Sequence, residues 1–237
     1  MRAVTIVFDL DGTLVDTAPD LINATNHVLD LLSAPHVTHD VARNWISHGA
    51  RYMINEALKY AQIQKTEIET DKLLENFLAH YTQNIAKHSA PFPAARETIN
   101  NLAESGFKLA VCTNKREGLA RQLLDKLRLT EKFDAIAGRD TFPMCKPDPR
   151  HITKTVELAR GNTQHAIMVG DSANDIDAAK RASLPSVAVT FGYSKTPAIE
   201  LGADAVIDHM SQLQTALIPL VERLVPYRDS DHSNERL

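Results

Sequence analysis

The hydrophobic pattern divides the chain into a part with short apolar runs and a part with helical periodicity. The first run, residues 4–8, is β-branched and nearly continuous, which is typical of a strand buried on both faces of a parallel sheet. Further runs at 108–112, 135–137, 166–169, 185–189 and 205–207 are separated by helical patterns at 94–105, 116–127, 149–160 and 174–182. This alternation predicts an α/β fold with a doubly wound, Rossmann-like parallel sheet.

Between the first and second predicted strands, every periodic segment is helical. Apolar residues recur at helical spacing around 21–32, 54–61 and 74–81, with a short helix predicted over 41–46 and a turn at 47–49. A crossover between parallel strands needs only about a dozen residues, so we interpret the excess as an inserted helical subdomain. We predict a core domain of residues 1–15 and 83–227, a helical cap domain of residues 16–82, and a disordered polar tail at 228–237.

Composition and charge narrow the functional classes. The chain has 237 residues, with 26 Lys and Arg against 30 Asp and Glu, and no basic stripe that would predict nucleic-acid binding. Cys112 and Cys145 are too few for a disulfide framework and suit a reducing cytosol. No apolar run approaches the roughly 20 residues that span a bilayer, and no leader precedes the first strand. We expect a cytoplasmic protein without nucleic-acid or membrane partners, and leave its oligomeric state open.

Two carboxylates follow the first strand directly. Asp9 and Asp11 are two residues apart, and at this spacing in extended chain both side chains point the same way. Gly12 then permits a sharp turn. Two ionised carboxylates about 4 Å apart repel by roughly 4 kcal/mol at an effective dielectric near 20. A cation, a shared proton or a polar ligand would offset this repulsion, and an Asp-Gly turn with solvated acids is the alternative.

Polar side chains also follow later strands. Ligands of open α/β sheets bind beyond the carboxyl ends of the strands. Thr113 and Asn114 follow one strand, Asp171 and Asp175 follow another, and Lys146 lies just before a helix. Asp171 and Asp175 are four residues apart near a helix start, where like charges oppose each other. Mg²⁺ explains this pair, because oxygen ligands suit it. Helix N-terminal charge is the alternative for Asp175, and a solvated position the alternative for Lys146.

These groups together favour phosphoryl transfer. An aspartate can accept a phosphoryl group covalently and so divide the hydrolysis of an inert ester into two displacements. Mg²⁺ and Lys146 would neutralise charge on the transferring group. The sequence therefore predicts a Mg²⁺-dependent enzyme whose partner is a small phosphorylated metabolite.

Four ordered motifs carry a resemblance to a known family. They are Asp-Leu-Asp-Gly-Thr at residues 9–13, Thr113-Asn114, Lys146-Pro147, and Gly-Asp-Ser-Ala-Asn-Asp at residues 170–175. In this order they resemble the motifs of the haloacid dehalogenase superfamily phosphatases, and the similarity runs from residue 3 to about 213. The resemblance implies that the helical insert is a lid that closes over the site and reads the substrate.

The resemblance also implies roles for the motif residues. Asp9 would be the nucleophile, and Asp11 the general acid and then the base for the attacking water. Mg²⁺ would lie on Asp9, the backbone carbonyl of Asp11 and Asp171, with Asp175 supporting that shell. The phosphate would be held by the other motif residues, Thr113, Asn114 and Lys146.

A finer resemblance points to phosphoglycolate phosphatases, whose substrate is a small phosphorylated carboxylic acid. Residues 8–16, 18–20, 45–46, 49–50, 113–115 and 191–193 are similar to that group, whereas Ser47, His48, Cys145 and Ser183 depart from its usual pattern. We predict that Arg51 binds the substrate carboxylate, because a guanidinium fork matches it bidentately, and that His48 contacts substrate. A solvated helix arginine and a solvated turn histidine are the alternatives.

Rival functions share much of this chemistry. Another sugar phosphatase, an inorganic pyrophosphatase or a phosphosugar mutase could use the same core. A dehalogenase would leave Asp11 and the Mg²⁺ site without a role. A signalling receiver also accepts phosphate on aspartate beside Mg²⁺ and lysine, but it needs no lid, so the helical insert counts against it. A non-catalytic binding module is a weaker alternative.

Overall fold

The computed structural model describes residues 4–225, so the predicted tail at 228–237 lies outside the described residues. Eight strands are present in this range: β1 (Thr5–Phe8), β2 (Val15–Asp16), β3 (Ala90–Pro91), β4 (Lys108–Cys112), β5 (Ala135–Ala137), β6 (Ala166–Gly170), β7 (Ser186–Val189) and β8 (Ala205–Ile207). The α-helices are α1 (Ala18–Leu31), α2 (His39–Ala42), α3 (Ala50–Tyr60), α4 (Glu67–Gln83), α5 (Ala95–Glu104), α6 (Glu117–Lys126), α7 (Pro149–Leu158), α8 (Ala173–Arg181) and α9 (Leu213–Leu224).

Six strands form the central sheet, in the order β5-β4-β1-β6-β7-β8, and all its neighbouring pairs are parallel. Every residue of β1 is buried. Ile6 and Phe8 belong to one apolar cluster, while Val7 between them belongs to another. Since alternate residues of a strand point to opposite faces, helices cover both faces of the sheet. The predicted α/β, Rossmann-like fold is confirmed.

Four α-helices and one 3-10 helix lie between β2 and β3, which pair antiparallel with Val15 opposite Pro91. We call residues 18–83 the helical segment. Its helices α1, α3 and α4 pack on one another through buried side chains such as Leu29, Ile54 and Phe77. Among the described residues, no helix combines the length and apolar character that crossing a bilayer requires. The division into core and cap domains at residues 15–16 and 82–83 stays a prediction.

The structure differs from the predicted elements in two places within or near the helical segment. The helix predicted over 41–46 is split, because α2 ends at Ala42 and a 3-10 helix, Arg43–His48, follows it. Ala42, Trp45 and Ile46 are buried with the i, i+3, i+4 spacing of one helical face, so the pattern located the buried face but not the change of helix type. The strands β2 and β3 have two residues each, too short for a periodicity signal.

Helix α9 was not predicted either. It buries Leu213, Leu217 and Leu220, which have the i, i+4, i+7 spacing of an amphipathic helix. Pro219 inside the helix weakens the sequence signal, because proline removes one backbone donor. Packing of the leucines against the core therefore outweighs the local cost of the proline.

Candidate active site

All the predicted site residues except Asp171 line one cavity of about 790 Å³ at the carboxyl ends of β1, β4 and β6, and Asp171 lies behind this lining, next to Asp9 and Asp175. Asp9 follows β1 and Thr113 follows β4, so the parallel register brings both to the same sheet edge. The cavity is also lined by residues of the helical segment, including Tyr81. The arrangement agrees with the rule that open α/β sheets bind ligands at this edge.

A buried lysine lies between two of the predicted acids. The Lys146 Nζ donates hydrogen bonds to Asp9 Oδ1 at 2.8 Å and to Asp175 Oδ1 at 2.6 Å. The three residues are 3%, 9% and 0% exposed, respectively. An ion pair with so little water around it is screened weakly, so Lys146 is not the solvated surface residue of the alternative interpretation.

The carboxylates of the site outnumber this lysine. Asp9, Asp171 and Asp175 each offer an oxygen, and these oxygens lie within 4.8 Å of one another. Burial raises the pKa of Asp9 to about 6, although Lys146 opposes that shift. Burial, and then the charges of Asp175 and Asp9, hold the pKa of Asp171 well above its usual value. The cluster is therefore short of positive charge at neutral pH.

The donor set of this cluster fits a divalent cation. Its atoms are all carboxylate oxygens, which suit a hard ion such as Mg²⁺, and an added positive charge would reverse the pKa shifts caused by the crowded acids. The backbone also approaches the acids closely: a Cβ on Gly192 would lie 2.1 Å from the Asp171 Cβ, and one on Gly12 would lie 2.7 Å from Asp171 Oδ2. Only glycine leaves this space.

Hydrogen bonds fix the orientation of Asp171 and Asp175. Asp171 accepts from the Tyr193 backbone N–H at 2.7 Å and from Thr13 Oγ1 at 3.3 Å. Asp175 accepts from the Ser172 N–H at 3.0 Å and the Ser172 hydroxyl at 2.6 Å, which is the capping box of α8. Asp175 therefore lies at a helix N-terminus, as the alternative interpretation expects, and also binds Lys146, while its role at a metal ion stays a prediction.

Asp11 lies in a different environment from Asp9. Lys115 Nζ donates to both of its oxygens, at 2.8 Å and 3.1 Å, and Thr17 Oγ1 donates to Oδ1 at 2.7 Å. Lys115 Nζ also lies 4.7 Å from the centre of the Tyr81 ring. Sequence reasoning did not assign a role to Lys115 or Tyr81. The position of Lys115 beside Thr113-Asn114 was the available signal, and its pairing with Asp11 depends on the tertiary fold.

The predicted phosphate-binding residues adjoin one another. Asn114 Nδ2 donates to the Lys146 backbone carbonyl at 3.0 Å, while Asn114 Oδ1 is buried without a hydrogen-bond partner among the described residues. Thr113 is buried, and its Oγ1 accepts from the Lys115 N–H at 3.1 Å. His151, which sequence reasoning missed, accepts from the Lys146 N–H at 3.2 Å. Asn114 and His151 thus hold the Lys146 backbone from two sides.

The two substrate-binding candidates of the helical segment both line the cavity. Gly49, with φ at +88°, turns the chain between the 3-10 helix and α3, and this positive φ favours glycine. His48 packs on Tyr52 with ring centres 4.5 Å apart. Arg51 forms an ion pair with Asp71 and its side chain is 48% exposed. The structure thus brings His48 and Arg51 to the rim without testing their predicted roles.

Comparisons with known proteins agree with this geometry. The chain is 47% identical over 219 residues to a phosphoglycolate phosphatase of Agrobacterium fabrum, covering 92% of this chain and 93% of the relative. It is 47% identical over 220 residues to one of Mesorhizobium japonicum, covering 93% and 96%. The crystal structure of a predicted phosphoglycolate phosphatase from Haemophilus somnus has a TM-score of 0.85 at 28% identity, covering 91% of this chain and 98% of that one.

The family comparison covers most of the described chain. A family model described as haloacid dehalogenase-like hydrolase matches residues 6–189, which include all of β1 but its first residue, β2 through β7, and every predicted residue of the site. The resemblance inferred from the four motifs and the assignment as a hydrolase are thereby confirmed. The chain belongs to the haloacid dehalogenase-like hydrolase family.

Proposed function

We propose that this protein is a Mg²⁺-dependent phosphatase that hydrolyses a small phosphate monoester, 2-phosphoglycolate, to glycolate and inorganic phosphate. The observation that carries the proposal is the buried cluster of Asp9, Asp171 and Asp175 around Lys146. Such a cluster supplies a nucleophile, cation ligands and a phosphate-neutralising ammonium at one point. The relatives named phosphoglycolate phosphatase, at up to 47% identity, support the choice of substrate.

In the first displacement, a carboxylate oxygen of Asp9 attacks phosphorus as the bond from phosphorus to the ester oxygen breaks. Asp11 donates a proton to the departing oxygen, which leaves as the hydroxyl of glycolate, and Asp9 becomes an aspartyl phosphate. In the second displacement, a water oxygen attacks phosphorus and Asp11 takes a proton from that water. The Asp9 carboxylate is restored and inorganic phosphate departs.

The surrounding residues hold the transferring group and the cofactor. Thr113, Asn114 and Lys146 bind the phosphate oxygens, Asn114 through the amide N–H that does not donate to the Lys146 carbonyl. Mg²⁺ would be held by Asp9, the Asp11 carbonyl and Asp171, with Asp175 supporting them; it would supply positive charge against the phosphoryl oxygens.

The helical segment acts as the cap in this proposal. Residues 16–82 form a lid over the core, residues 1–15 and 83–227, and closure excludes water from the first displacement. His48 and Arg51 would contact the substrate from the cap side, Arg51 by exchanging Asp71 for the substrate carboxylate. If Arg51→Ala left kcat/KM for 2-phosphoglycolate unchanged, that role of Arg51 would be excluded.

A panel of phosphorylated metabolites, assayed with and without Mg²⁺, tests the function. We expect the highest kcat/KM on 2-phosphoglycolate and loss of turnover with EDTA. Faster hydrolysis of pyrophosphate or a sugar phosphate would assign a different phosphatase, and isomerised sugar phosphate without free phosphate would assign a mutase. A phosphoprotein that persists for minutes without turnover would assign a signalling receiver.

Asp9→Asn tests the nucleophile. The amide cannot accept the phosphoryl group, so kcat should fall by about 10³-fold or more, while the circular dichroism spectrum stays that of the native fold. Activity within tenfold of the native protein would rule out covalent catalysis at Asp9.

A further inference from the structure

Lys115 places a buried positive charge beside the proposed general acid. It lies on the core side of the cavity, its side chain is 6% exposed, and its Nζ donates to both oxygens of Asp11. Burial would lower the pKa of this ammonium, but the Asp11 carboxylate outweighs that effect and holds the pKa above its usual value. Lys115 is therefore charged at neutral pH. An ammonium has three N–H donors, and Asp11 uses two of them.

Tyr81 presents a second donor at the same place. This residue of α4 is 1% exposed and lines the cavity, and its hydroxyl makes no hydrogen bond of normal geometry among residues 4–225, although the Lys115 ammonium lies close to it. Burial raises the pKa of Tyr81 to about 12, so the hydroxyl keeps its proton. A buried hydroxyl without a partner is destabilising, and a ligand that accepts its hydrogen bond would remove that cost.

We propose that Lys115 and Tyr81 bind the carboxylate of the substrate and thereby select phosphorylated 2-hydroxy acids over uncharged phosphate esters. The inference rests on the proposed function and names residues for its specificity. In 2-phosphoglycolate, the ester oxygen and the carboxylate carbon are joined to the same methylene carbon. Asp11 must reach the ester oxygen to protonate it, so a carboxylate one carbon away lies beside the Lys115 ammonium that now binds Asp11.

This arrangement also couples substrate choice to the acid. When the substrate carboxylate accepts hydrogen bonds from Lys115, it competes with Asp11 for the same ammonium. Asp11, still held by Thr17, is then released from Lys115 toward the ester oxygen. An ester without a carboxylate leaves the Lys115–Asp11 ion pair intact. Such an ester therefore binds more weakly, and Asp11 protonates its ester oxygen less readily. The two effects favour the same substrate.

The test compares 2-phosphoglycolate with ethyl phosphate, which has a methyl group in place of the carboxylate. For Lys115→Met, we expect the ratio of the two kcat/KM values to fall by at least about 30-fold, since a lost charged hydrogen bond at a buried site has an effect of this size. For Tyr81→Phe, which removes only the hydroxyl, the ratio should fall about 10-fold. Lys115→Arg should recover part of the ratio. Lys126→Met, an exposed lysine on α6 outside the cavity lining, is the matched control and should keep it.

Binding separates recognition from catalysis. In an Asp9→Asn background, which cannot turn over, calorimetry should give a Kd for 2-phosphoglycolate that Lys115→Met weakens by at least about 10-fold more than the Kd for ethyl phosphate. If Lys115→Met lowers kcat/KM equally for both esters and leaves the ratio of their two Kd values unchanged, Lys115 only positions Asp11. That result overturns the inference but leaves the proposed phosphatase activity intact. If the native protein does not hydrolyse 2-phosphoglycolate at all, the proposed function itself fails.

Discussion

At the scale of single residues, the site is built from charges that the fold places where water cannot screen them. Asp171 is 1% exposed and faces Asp9 and Asp175 across less than 4.8 Å. Such crowding of like charges favours protonation or a bound cation. The same crowding makes the protein's stability depend on pH and on divalent ions, which gives the metal proposal a readout that is independent of turnover.

The first prediction concerns Mg²⁺ and thermal stability. The pKa of Asp9 rises from 3.8 to about 6 on folding, and that of Asp171 rises as well, so the folded state binds more protons than the unfolded chain. Its metal-free stability must then fall as pH rises through this range. Mg²⁺ at a hundredfold excess over its Kd should add about 2–3 kcal/mol and raise Tm by about 5–10 °C, with a larger increase at pH 7.5 than at pH 5.

Two variants check this prediction by scanning calorimetry. Asp171→Asn should abolish the Mg²⁺-induced rise in Tm, whereas Asp40→Asn, at an exposed position of α2, should keep it. A rise in Tm that is equal at both pH values, or that survives Asp171→Asn, would contradict a cation site at these carboxylates.

The second prediction concerns His151, which supports the Lys146 backbone. Burial, and then the Lys146 charge, lower its pKa from 6.5 to about 4, and its Nε2 lies 3.1 Å from the Gly138 carbonyl. Its contribution to stability is complete above pH 6.5 and is lost as pH falls toward 4, by about 2 kcal/mol between pH 7.5 and pH 5. His151→Gln should remove this part of the pH dependence in urea unfolding. His39→Gln, at an exposed position of α2, should leave this pH dependence in place. If the unfolding free energy of the native protein and of both variants changed equally with pH, the assignment to His151 would be refuted.

At the scale of elements, one helix of the helical segment begins at a capping motif that the sequence displays. Helix α4 begins with a capping box: Thr66 Oγ1 accepts from the Glu69 N–H, and Glu69 accepts from the Thr66 N–H at 2.9 Å. These bonds satisfy backbone donors that the first helical turn leaves unpaired. The helix that carries Tyr81 into the cavity thus starts from a fixed point.

The third prediction tests that cap. Thr66→Ala should lower the free energy of unfolding by about 1 kcal/mol and leave kcat/KM unaltered, because Thr66 does not line the cavity. Thr66→Ser retains the hydroxyl and should restore most of the lost stability in urea titrations. An unaltered unfolding midpoint in Thr66→Ala would argue against this role of the hydroxyl.

At the scale of the whole molecule, one residue links the core to the start of the helical segment. The Tyr193 hydroxyl accepts from the backbone N–H groups of Thr17 at 2.7 Å and Ala18 at 3.0 Å, and donates to Asp16 Oδ1 at 2.6 Å. Its own N–H binds Asp171. Arg43 donates to two carbonyls of the same loop and lies over the Tyr193 ring. The base of the helical segment is therefore connected to the acidic cluster through Tyr193.

The fourth prediction follows from this link. Tyr193→Phe leaves the buried Thr17 N–H without its acceptor and the Ala18 N–H with only Asp16 Oδ1 at 3.3 Å, so unfolding free energy should fall by about 2 kcal/mol. Hydrogen exchange should accelerate at the amides of the first turn of α1. Tyr60→Phe, at an exposed position, is the control. Unchanged exchange at these amides in Tyr193→Phe would mean that another group replaces the hydroxyl.

Much of the fold was readable from local patterns. The short apolar runs at 108–112, 135–137 and 205–207 coincide with β4, β5 and β8, because strands of a parallel sheet covered by helices are mainly apolar. The predicted boundaries of elements were less accurate, as the split helix around Ala42 shows. Helix α9 was not predicted, because Pro219 obscured the helical spacing of its leucines. Local propensity is a weak guide wherever packing overrides it.

What the sequence determined by itself was the parallel sheet and the set of polar residues at its carboxyl edge, since strand direction alone sends Asp9, Thr113 and Asp171 to one side. What only the tertiary structure decided was pairing across the chain: Lys115 with Asp11, His151 with Lys146, and Tyr193 with the start of α1. Periodicity describes which way a side chain points from its own element. Which distant side chain it meets depends on how the elements close over one another, and that is set by packing of the whole molecule.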